Sequence, residues 1–223
     1  MQDEFDKLAK RKSSKTLFSG KLICESCGSA FGSKVWHSNS KYRRVIYRCN
    51  HKYDGEKKFQ TPHVTETEVK NWFIEAMNQV ITNKQEIMDN LKLLIEMMDD
   101  TSELDSEVSR LEQELSKLTS EVEELISQNT KVIQDQKAYQ DSYHKLSNQY
   151  ESAKIRLKQL KVEKRSKESR ALKVKEFISN LANQEGLLTE FDKKLWFTMV
   201  EQVIITKDKS ALFTFKGGQE IKV

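Results

Sequence analysis

The chain has 223 residues, of which 32% are charged and 37% are hydrophobic, and it contains one proline. This hydrophobic content is low for one compact globule and typical of a long helical arm joined to a small domain. No apolar run approaches the length of a membrane span, and no signal-peptide pattern opens the chain, which argues against a membrane or secreted protein.

The net charge of +4 is unevenly distributed along the chain. Residues 1–63 hold 14 Lys or Arg against 6 Asp or Glu, whereas residues 64–223 hold 24 against 28. The basic excess therefore lies in the first segment. It indicates a polyanionic partner for that segment and none along the helical arm that follows.

Residues 1–15 are polar and cannot form a core of their own. We interpret them as a linker from a missing upstream domain of a larger protein, with an ordinary frayed terminus as the alternative.

A C-x-x-C-G sequence begins at Cys24. Two residues separate Cys24 from Cys27, and Gly28 permits the tight turn that points both thiolates at one ion. The third and last cysteine is Cys49. An odd number of cysteines with two at metal-ligand spacing argues against disulfides and favours a metal, which indicates a reducing, cytoplasmic setting.

Two β-branched and aromatic stretches, 35–37 and 43–49, flank the turn sequence SNSK. This pattern predicts a β-hairpin that returns Cys49 to the knuckle formed by Cys24 and Cys27. Three thiolates on a knuckle and a hairpin predict a zinc ribbon that binds Zn²⁺.

The fourth ligand of the metal is open among three histidines. We favour His63, because it follows a loop and lies just before a predicted helix, so it can turn toward the knuckle. His51, only two residues from Cys49, is the alternative, and His37 is less favoured. Each histidine can equally be a solvated or packing residue.

Basic residues cluster on the predicted hairpin. Lys and Arg side chains on a two-stranded ribbon suit phosphate contact, and such a ribbon fits the major groove, where Arg can read guanine. The predicted DNA-binding residues are Lys34, Lys41, Tyr42, Arg43, Arg44 and Arg48. Arg43 and Arg44 point to opposite faces of a strand, so we expect only one of them to reach DNA with Lys41. The alternative is that these charges only solvate an exposed hairpin.

A helix is predicted to begin after Thr65, because Glu68 three residues later completes a capping box. The helix carries an apolar stripe that we expect to pack on the ribbon. From Leu104 to Leu160, apolar residues recur in alternating steps of four and three, which is typical of a coiled coil. We predict an antiparallel hairpin with its tip at about 127–136, where Val132 and Ile133 can dock on another arm.

Beyond the arm, Thr189 is predicted to cap a second short helix over 191–203, and strands follow up to residue 223. Strands thus close the chain as they opened it. We therefore interpret the coiled coil as an insertion between two halves of one domain. The predicted boundaries are 16–95 for the first half, 96–180 for the arm and 181–223 for the second half.

Several segments together resemble the C-terminal region of large serine recombinases, the phage and mobile-element integrases. These segments are FSGKLICESCG, YRCN, TPHVTETEV, NTKVIQDQKAY, YHKL and FDKKLWFTMVEQVIITKDKSALFTFKGGQEI. The resemblance implies that 16–95 and 186–223 form a zinc-binding domain that contacts attachment-site DNA. It also implies that 100–175 is an antiparallel arm that contacts the arms of partner protomers and favours integration unless a recombination directionality factor intervenes.

The sequence departs from this family in two respects. Relatives commonly have a fourth cysteine where this chain has Phe59, so a histidine must replace that ligand or the metal is weakly held. The family's catalytic domain, with its nucleophilic serine, has no counterpart here, so the resemblance implies a fragment that is not itself an enzyme.

The predicted fold class is α+β and mostly α, with a small zinc ribbon packed on helices and interrupted by a long antiparallel coiled-coil hairpin. The predicted function is DNA binding and regulation of synapsis in site-specific recombination. The alternative is a coiled-coil scaffold whose zinc ribbon is structural and does not read DNA.

Overall fold

A computed structural model describes residues 16–53, 61–132 and 135–223. The chain divides into two compact units, one formed by Met1–Asp89 with Glu176–Val223 and the other by Asn90–Lys175. The predicted fold class, α+β and mostly α, is confirmed. No helix in the described ranges is long and apolar enough to cross a membrane.

The described part of the chain forms short strands at both ends and long helices between them. The strands are β1 (Leu22–Cys24), β2 (Phe31–Trp36), β3 (Arg44–Cys49), β4 (Val64–Thr65), β5 (Val200–Ile205), β6 (Ala211–Phe215) and β7 (Glu220–Lys222). The helices are α1 (Glu66–Thr82), α2 (Lys84–Asp99), α3 (Ser102–Lys131), α4 (Gln136–Ala182) and α5 (Lys193–Met199).

Both ends of the chain contribute to the sheets of the first unit. One sheet has the order β1-β5-β6-β7, and its β1 runs parallel to β5, with Leu22 opposite Val203. The other sheet has the order β2-β3-β4 and is antiparallel. Because β1 lies directly before the cysteine knuckle, its pairing with β5 fixes the knuckle to the end of the chain.

An aromatic cluster forms the core of this unit. The rings of Phe18 and Trp196 are 4.9 Å apart, centroid to centroid, and those of Phe73 and Trp196 are 5.5 Å apart, both in edge-to-face contacts. Phe18 also contacts Tyr47 of β3 at 5.4 Å. All four side chains are buried. Each such contact adds about 0.5–1.5 kcal/mol to the area term, so this cluster joins the hairpin, α1 and α5 into one core.

Helix α1 begins with the predicted capping box. The Glu68 N–H donates to Thr65 Oγ1 at 3.3 Å, and the Thr65 N–H donates to Glu68 Oε2 at 2.7 Å. The predicted cap of α5 is wrong. Asp192, not Thr189, accepts a hydrogen bond from the Leu195 N–H at 2.9 Å, and α5 ends at Met199 because the β-branched run after it forms β5.

In the second unit, α3 and α4 pack against each other in antiparallel orientation. Two ion pairs between α3 and α4 establish the direction, because their members advance along α4 as they recede along α3. These pairs are Glu112–Lys161 at 2.6 Å and Asp105–Lys164. Asp99, at the end of α2, continues the trend by pairing with Lys175 at 2.8 Å.

The apolar residues between α3 and α4 form a core that includes Leu111, Ala153 and Leu160. The apolar repeat of α4 ends at Leu160 because Lys164 and Lys167 occupy the next two inward positions. Lys164 pairs with Asp105, and the Lys167 ammonium donates to the Asp100 carbonyl. The apolar pattern resumes with the buried Ala171 and Val174.

The second unit spans Asn90–Lys175, whereas the sequence predicted an arm over 96–180. Helices α2 and α4 continue through these limits, so no turn residue in the sequence marks them. The predicted tip coincides with the gap between α3, which ends at Lys131, and α4, which begins at Gln136.

Candidate metal centre and basic hairpin

The cysteine knuckle is a tight turn at the end of β1. Gly28 has a φ of 68°, in the left-handed region, and its N–H donates to the Cys24 carbonyl at 2.8 Å. The Cys24 N–H in turn donates to the Ser29 carbonyl at 2.9 Å. A residue with a Cβ is strained at this φ, which explains the glycine after the second cysteine.

The hairpin returns Cys49 to this knuckle. Strands β2 and β3 pair in antiparallel register with Phe31 opposite Cys49, and the Asn50 N–H donates to the Ala30 carbonyl at 3.2 Å. The sulfur atoms of Cys24, Cys27 and Cys49 lie within 4.8 Å of one another. Among the described residues, these three cysteines form the group that could hold a metal ion.

The cysteine cluster fits a tetrahedral zinc ion. A Zn–S distance of about 2.3 Å places neighbouring sulfurs about 3.8 Å apart. The spread of at most 4.8 Å, with Cys27 and Cys49 at 3.4 Å, is close to that value. Three thiolates would occupy three vertices of the coordination sphere, and zinc bound there would fix the hairpin to the knuckle.

One face of the hairpin is basic. Opposite residues of an antiparallel pair lie on the same face. Lys34 is opposite Ile46, Trp36 opposite Arg44, and Gly32 opposite Arg48. Lys34, Arg44 and Arg48 therefore share a face with Trp36, and we call these three cations the hairpin basic face.

Aromatic rings hold two of the three cations of the hairpin basic face. The Arg44 guanidinium lies 5.5 Å from the centroid of the Trp36 ring, and the Arg48 guanidinium lies 4.6 Å from that of Tyr53. A guanidinium over an aromatic face gains about 0.5–1 kcal/mol at exposed sites. These contacts pre-order both arginines before any ligand binds.

Residues 17–78 match the family model of the recombinase zinc beta ribbon domain. This segment is therefore similar to a recombinase zinc ribbon. The resemblance to recombinases is thereby confirmed on the segment that carries all three cysteines and the hairpin.

No curated protein matches the chain. A crystal structure described as an LSR–DNA complex aligns with 96% of the chain at 14% identity and a TM-score of 0.36. The present chain covers 61% of the length of that chain.

Two thiols of the cysteine cluster differ in their acidity. Burial, and then the hydrogen bond with Cys27, raise the pKa of Cys49 to about 12. For Cys27, desolvation acts in the opposite direction, but hydrogen bonds from the side chain and backbone of Ser29 lower its pKa. Zinc binds thiolates, so its binding must displace the Cys49 proton.

The two favoured histidines lie outside the group of mutually close ligand atoms. The ring of His63 packs on Trp36 with centroids 4.5 Å apart. Burial, and then the cations Lys209, Lys52 and Arg44, lower its pKa.

His51 Nδ1 is hydrogen-bonded to Ser29 Oγ at 2.8 Å. His37 lies in the turn after β2 with a φ of 54°, not in a strand. Phe59 lies outside the described residues.

Thr61 is a site residue that sequence reasoning missed. It is buried, and its Oγ1 lies 3.1 Å from Cys24 Sγ and 3.0 Å from Ser26 Oγ. Lys52 Nζ donates to the Thr61 carbonyl at 2.7 Å. Thr61 thus closes the cysteine cluster on one side. A lone threonine before a proline gives no sequence signal for this role.

The remaining predicted DNA-binding residues lie in the turn of the hairpin. The sequence predicted that Arg43 lies in the second strand of the hairpin. Strand β3 begins at Arg44, however, and the Arg43 N–H donates to the Ser40 carbonyl at 3.1 Å. The Lys41 ammonium lies 5.2 Å from the centroid of the exposed Tyr42 ring. Lys41, Tyr42 and Arg43 therefore form an exposed turn beyond the hairpin basic face.

Proposed function

We propose that the chain is the DNA-binding and synapsis-regulating C-terminal part of a site-specific serine recombinase. The zinc ribbon contacts attachment-site DNA, and the arm formed by α3 and α4 contacts partner protomers. The observation that supports DNA contact best is the hairpin basic face, in which Arg44 and Arg48 occupy the same strand as Cys49.

In this proposal the metal and the hairpin act together. Zn²⁺, held by Cys24, Cys27 and Cys49, fixes the end of β3, and β3 presents Arg44 and Arg48. His63 as the fourth ligand stays a prediction, with His51 as the alternative. Within these 223 residues the proposed role is binding, and catalysis belongs to the serine-bearing domain that the family resemblance implies.

The DNA proposal is tested by the salt dependence of binding. Lys34→Ala/Arg44→Ala should lower the steepness of the plot of log affinity against log salt by about two, because each lost phosphate contact lowers it by about one. The measurement is fluorescence anisotropy with a labelled attachment half-site and with a scrambled duplex. A larger loss on the half-site would assign base reading to the hairpin basic face.

Lys193→Ala/Lys194→Ala is the matched control. It removes two exposed lysines from the first turn of α5 in the same unit. An unchanged slope for both double variants would contradict DNA contact by the hairpin and favour the scaffold alternative.

The arm has exposed apolar residues near its tip that support a role in protomer contacts. Val132, directly after α3, is 64% exposed, and Ile126 and Tyr143 are also exposed. Ile133, the second predicted tip residue, lies outside the described residues. The family resemblance implies that a recombination directionality factor would act on the same arm. A cytoplasmic location would keep the cysteines of the zinc ribbon reduced.

Self-association through the tip is tested by Val132→Asp. The expected result is a lower weight-average sedimentation coefficient at high protein concentration. Val162→Asp is the control, because Val162 is 60% exposed elsewhere on the same arm. Equal sedimentation of Val132→Asp and the unaltered chain would argue against protomer contacts through this tip.

A further inference from the structure

The two helices of the arm carry opposite charge. Helix α3 has eight Asp or Glu against three Lys or Arg. In α4, the segment from Lys154 to Lys175 has ten Lys or Arg and two Glu. The overall excess of acidic residues after residue 63 conceals this segregation. The arm therefore contains a strongly basic surface that the sequence average did not indicate.

Ion pairs with α2 and α3 account for only part of the basic residues of α4. Arg156 pairs with Glu107 at 3.1 Å, and the Lys161, Lys164 and Lys175 pairs are those described above. Within the described ranges, Lys158, Arg165 and Arg170 form no ion pair or hydrogen bond. The cations of α4 thus exceed what the packing of the arm uses.

Four exposed cations form one continuous stripe on α4. Lys154, Lys158, Lys161 and Arg165 follow one another at steps of four, three and four residues, which places them on one side of a helix. The stripe lies beside the seam with α3, because Lys154 and Lys161 directly follow the buried Ala153 and Leu160, and Lys158 and Arg165 lie further around the helix from that seam. We call these four residues the α4 basic face. It is about 16 Å long at about 1.5 Å per residue.

The acidic residues of α3 do not cancel this charge at the outer surface of α4. A helix with its side chains is about 10 Å wide, and the Debye length is about 8 Å at physiological ionic strength. An anion that approaches Lys158 and Arg165 from the side of α4 away from α3 is therefore screened from most α3 carboxylates. Glu112 pairs with Lys161 at 2.6 Å and Glu151 pairs with Lys154 at 3.4 Å. Lys158 and Arg165, which form no ion pair within the described ranges, therefore dominate the local field.

We propose that the α4 basic face binds the phosphate backbone of duplex DNA without regard to sequence. The choice of DNA as the polyanion rests on the proposed function, and charge complementarity supports it. Phosphates of one strand follow at about 3.4 Å along the duplex axis, so a 16 Å stripe spans about five of them. Lys and Arg at such spacing neutralise phosphates but read no bases.

A protein partner would use this side of α4 differently. Ile155 and Val162 are exposed beside the α4 basic face. A protein that bound here would bury them, whereas a phosphate backbone would leave them in water. Loss of the cations should therefore weaken the binding of DNA, whereas loss of these apolar side chains should weaken the binding of a protein.

The test uses the full chain with Lys34→Ala/Arg44→Ala as the background, so that contacts by the hairpin basic face are weakened. Lys154→Ala/Lys158→Ala/Arg165→Ala is compared with Arg110→Ala/Lys117→Ala/Lys131→Ala, which removes three exposed cations from α3. Alanine has the highest helix propensity, so both helices should persist. The readout is the salt dependence of anisotropy on a duplex of arbitrary sequence.

The α4 variant should lower the steepness of the salt plot by about two to three, since each phosphate contact contributes about 0.9. The α3 variant should leave it unchanged. Equal slopes for the two variants would overturn the proposal. The proposal would also be overturned if the α4 variant left the slope unchanged while Ile155→Ser altered sedimentation, because this side of α4 would then bind protein.

The two DNA proposals fail in distinguishable ways. If the hairpin makes no contact, Lys34→Ala/Arg44→Ala changes nothing while the α4 variant still lowers the slope. If the α4 basic face makes no contact, the hairpin variant alone lowers it.

Discussion

The sulfur atoms of Cys27 and Cys49 lie 3.4 Å apart, although the two residues are 22 positions apart in the chain. The register of β2 and β3 brings them together, and Cys49 is buried at the end of β3. A buried thiol with a pKa raised to about 12 is protonated at neutral pH. Metal binding therefore exchanges a proton for an ion at a site that the backbone has already assembled.

We expect Cys49→Ser to abolish stoichiometric zinc and to lower the melting temperature of the chain. A structural zinc ion contributes about 10 kcal/mol or more of apparent binding free energy in small domains, and that free energy is coupled to folding. The measurements are metal content after dialysis and thermal unfolding with and without chelator. Ser33→Ala, in β2, is the control. Full zinc content in Cys49→Ser would contradict the three-cysteine site.

The knuckle and the capping box could be predicted because both are local. Two residues between cysteines and a following glycine define a turn, and Thr65 with Glu68 satisfies backbone groups within four residues. The return of Cys49 needed only a hairpin of ordinary length. The heptad repeat likewise predicted a helical arm, because it continues over more heptads than chance placement of apolar residues would give.

Features that depend on partners distant in the chain could not be predicted from the sequence. Thr61 acquires its role only because the fold brings it to Cys24. The inward positions of Lys164 and Lys167 look like a break in the heptad until their partners Asp105 and Asp100 are known. The charge segregation between α3 and α4 was hidden because the net charge was summed over both helices.

The stack of Arg44 on Trp36 predicts an indirect role for the tryptophan in DNA binding. Trp36→Leu removes the ring face that orders Arg44, so affinity should fall about two- to five-fold, as expected for about 0.5–1 kcal/mol. Trp36→Phe keeps a ring face and should lose less. The measurement is equilibrium binding to the half-site duplex. Equal losses in the two variants would show that the ring does not act through Arg44.

Glu68 predicts a pH dependence of stability. Burial acts against the shift, but hydrogen bonds from Lys209 and Thr65 hold its pKa below the ordinary value of 4.5. A carboxylate with a lowered pKa in the folded state stabilises the fold above its unfolded pKa. This contribution is lost as the pH falls through the lowered pKa.

Glu68→Gln should therefore lower the free energy of unfolding at neutral pH by about 0.5–1 kcal/mol, as for other part-exposed charged groups. The difference from the unaltered chain should begin to shrink as the pH falls below the ordinary carboxylate pKa, and it should vanish below the lowered pKa of Glu68. Denaturant unfolding at a series of pH values measures it. Glu66→Gln, in the same helical turn and paired with Lys70 at 2.6 Å, is the control and should show a smaller change. A difference that persists in acid would exclude the ionised carboxylate as its cause.

The packing of α4 on α3 predicts a large difference between two leucines of the same helix. Leu160 is 1% exposed and packs with Leu111 and Ala153, whereas Leu172 is 60% exposed. Leu160→Ala should lower the free energy of unfolding by about 2–5 kcal/mol, because it removes buried methyl groups and leaves a cavity. Leu172→Ala should change it by less than about 0.5 kcal/mol, since helix propensity is preserved and no burial is lost. Circular dichroism during thermal unfolding compares the two, and equal melting temperatures would contradict the packing of Leu160 between the helices.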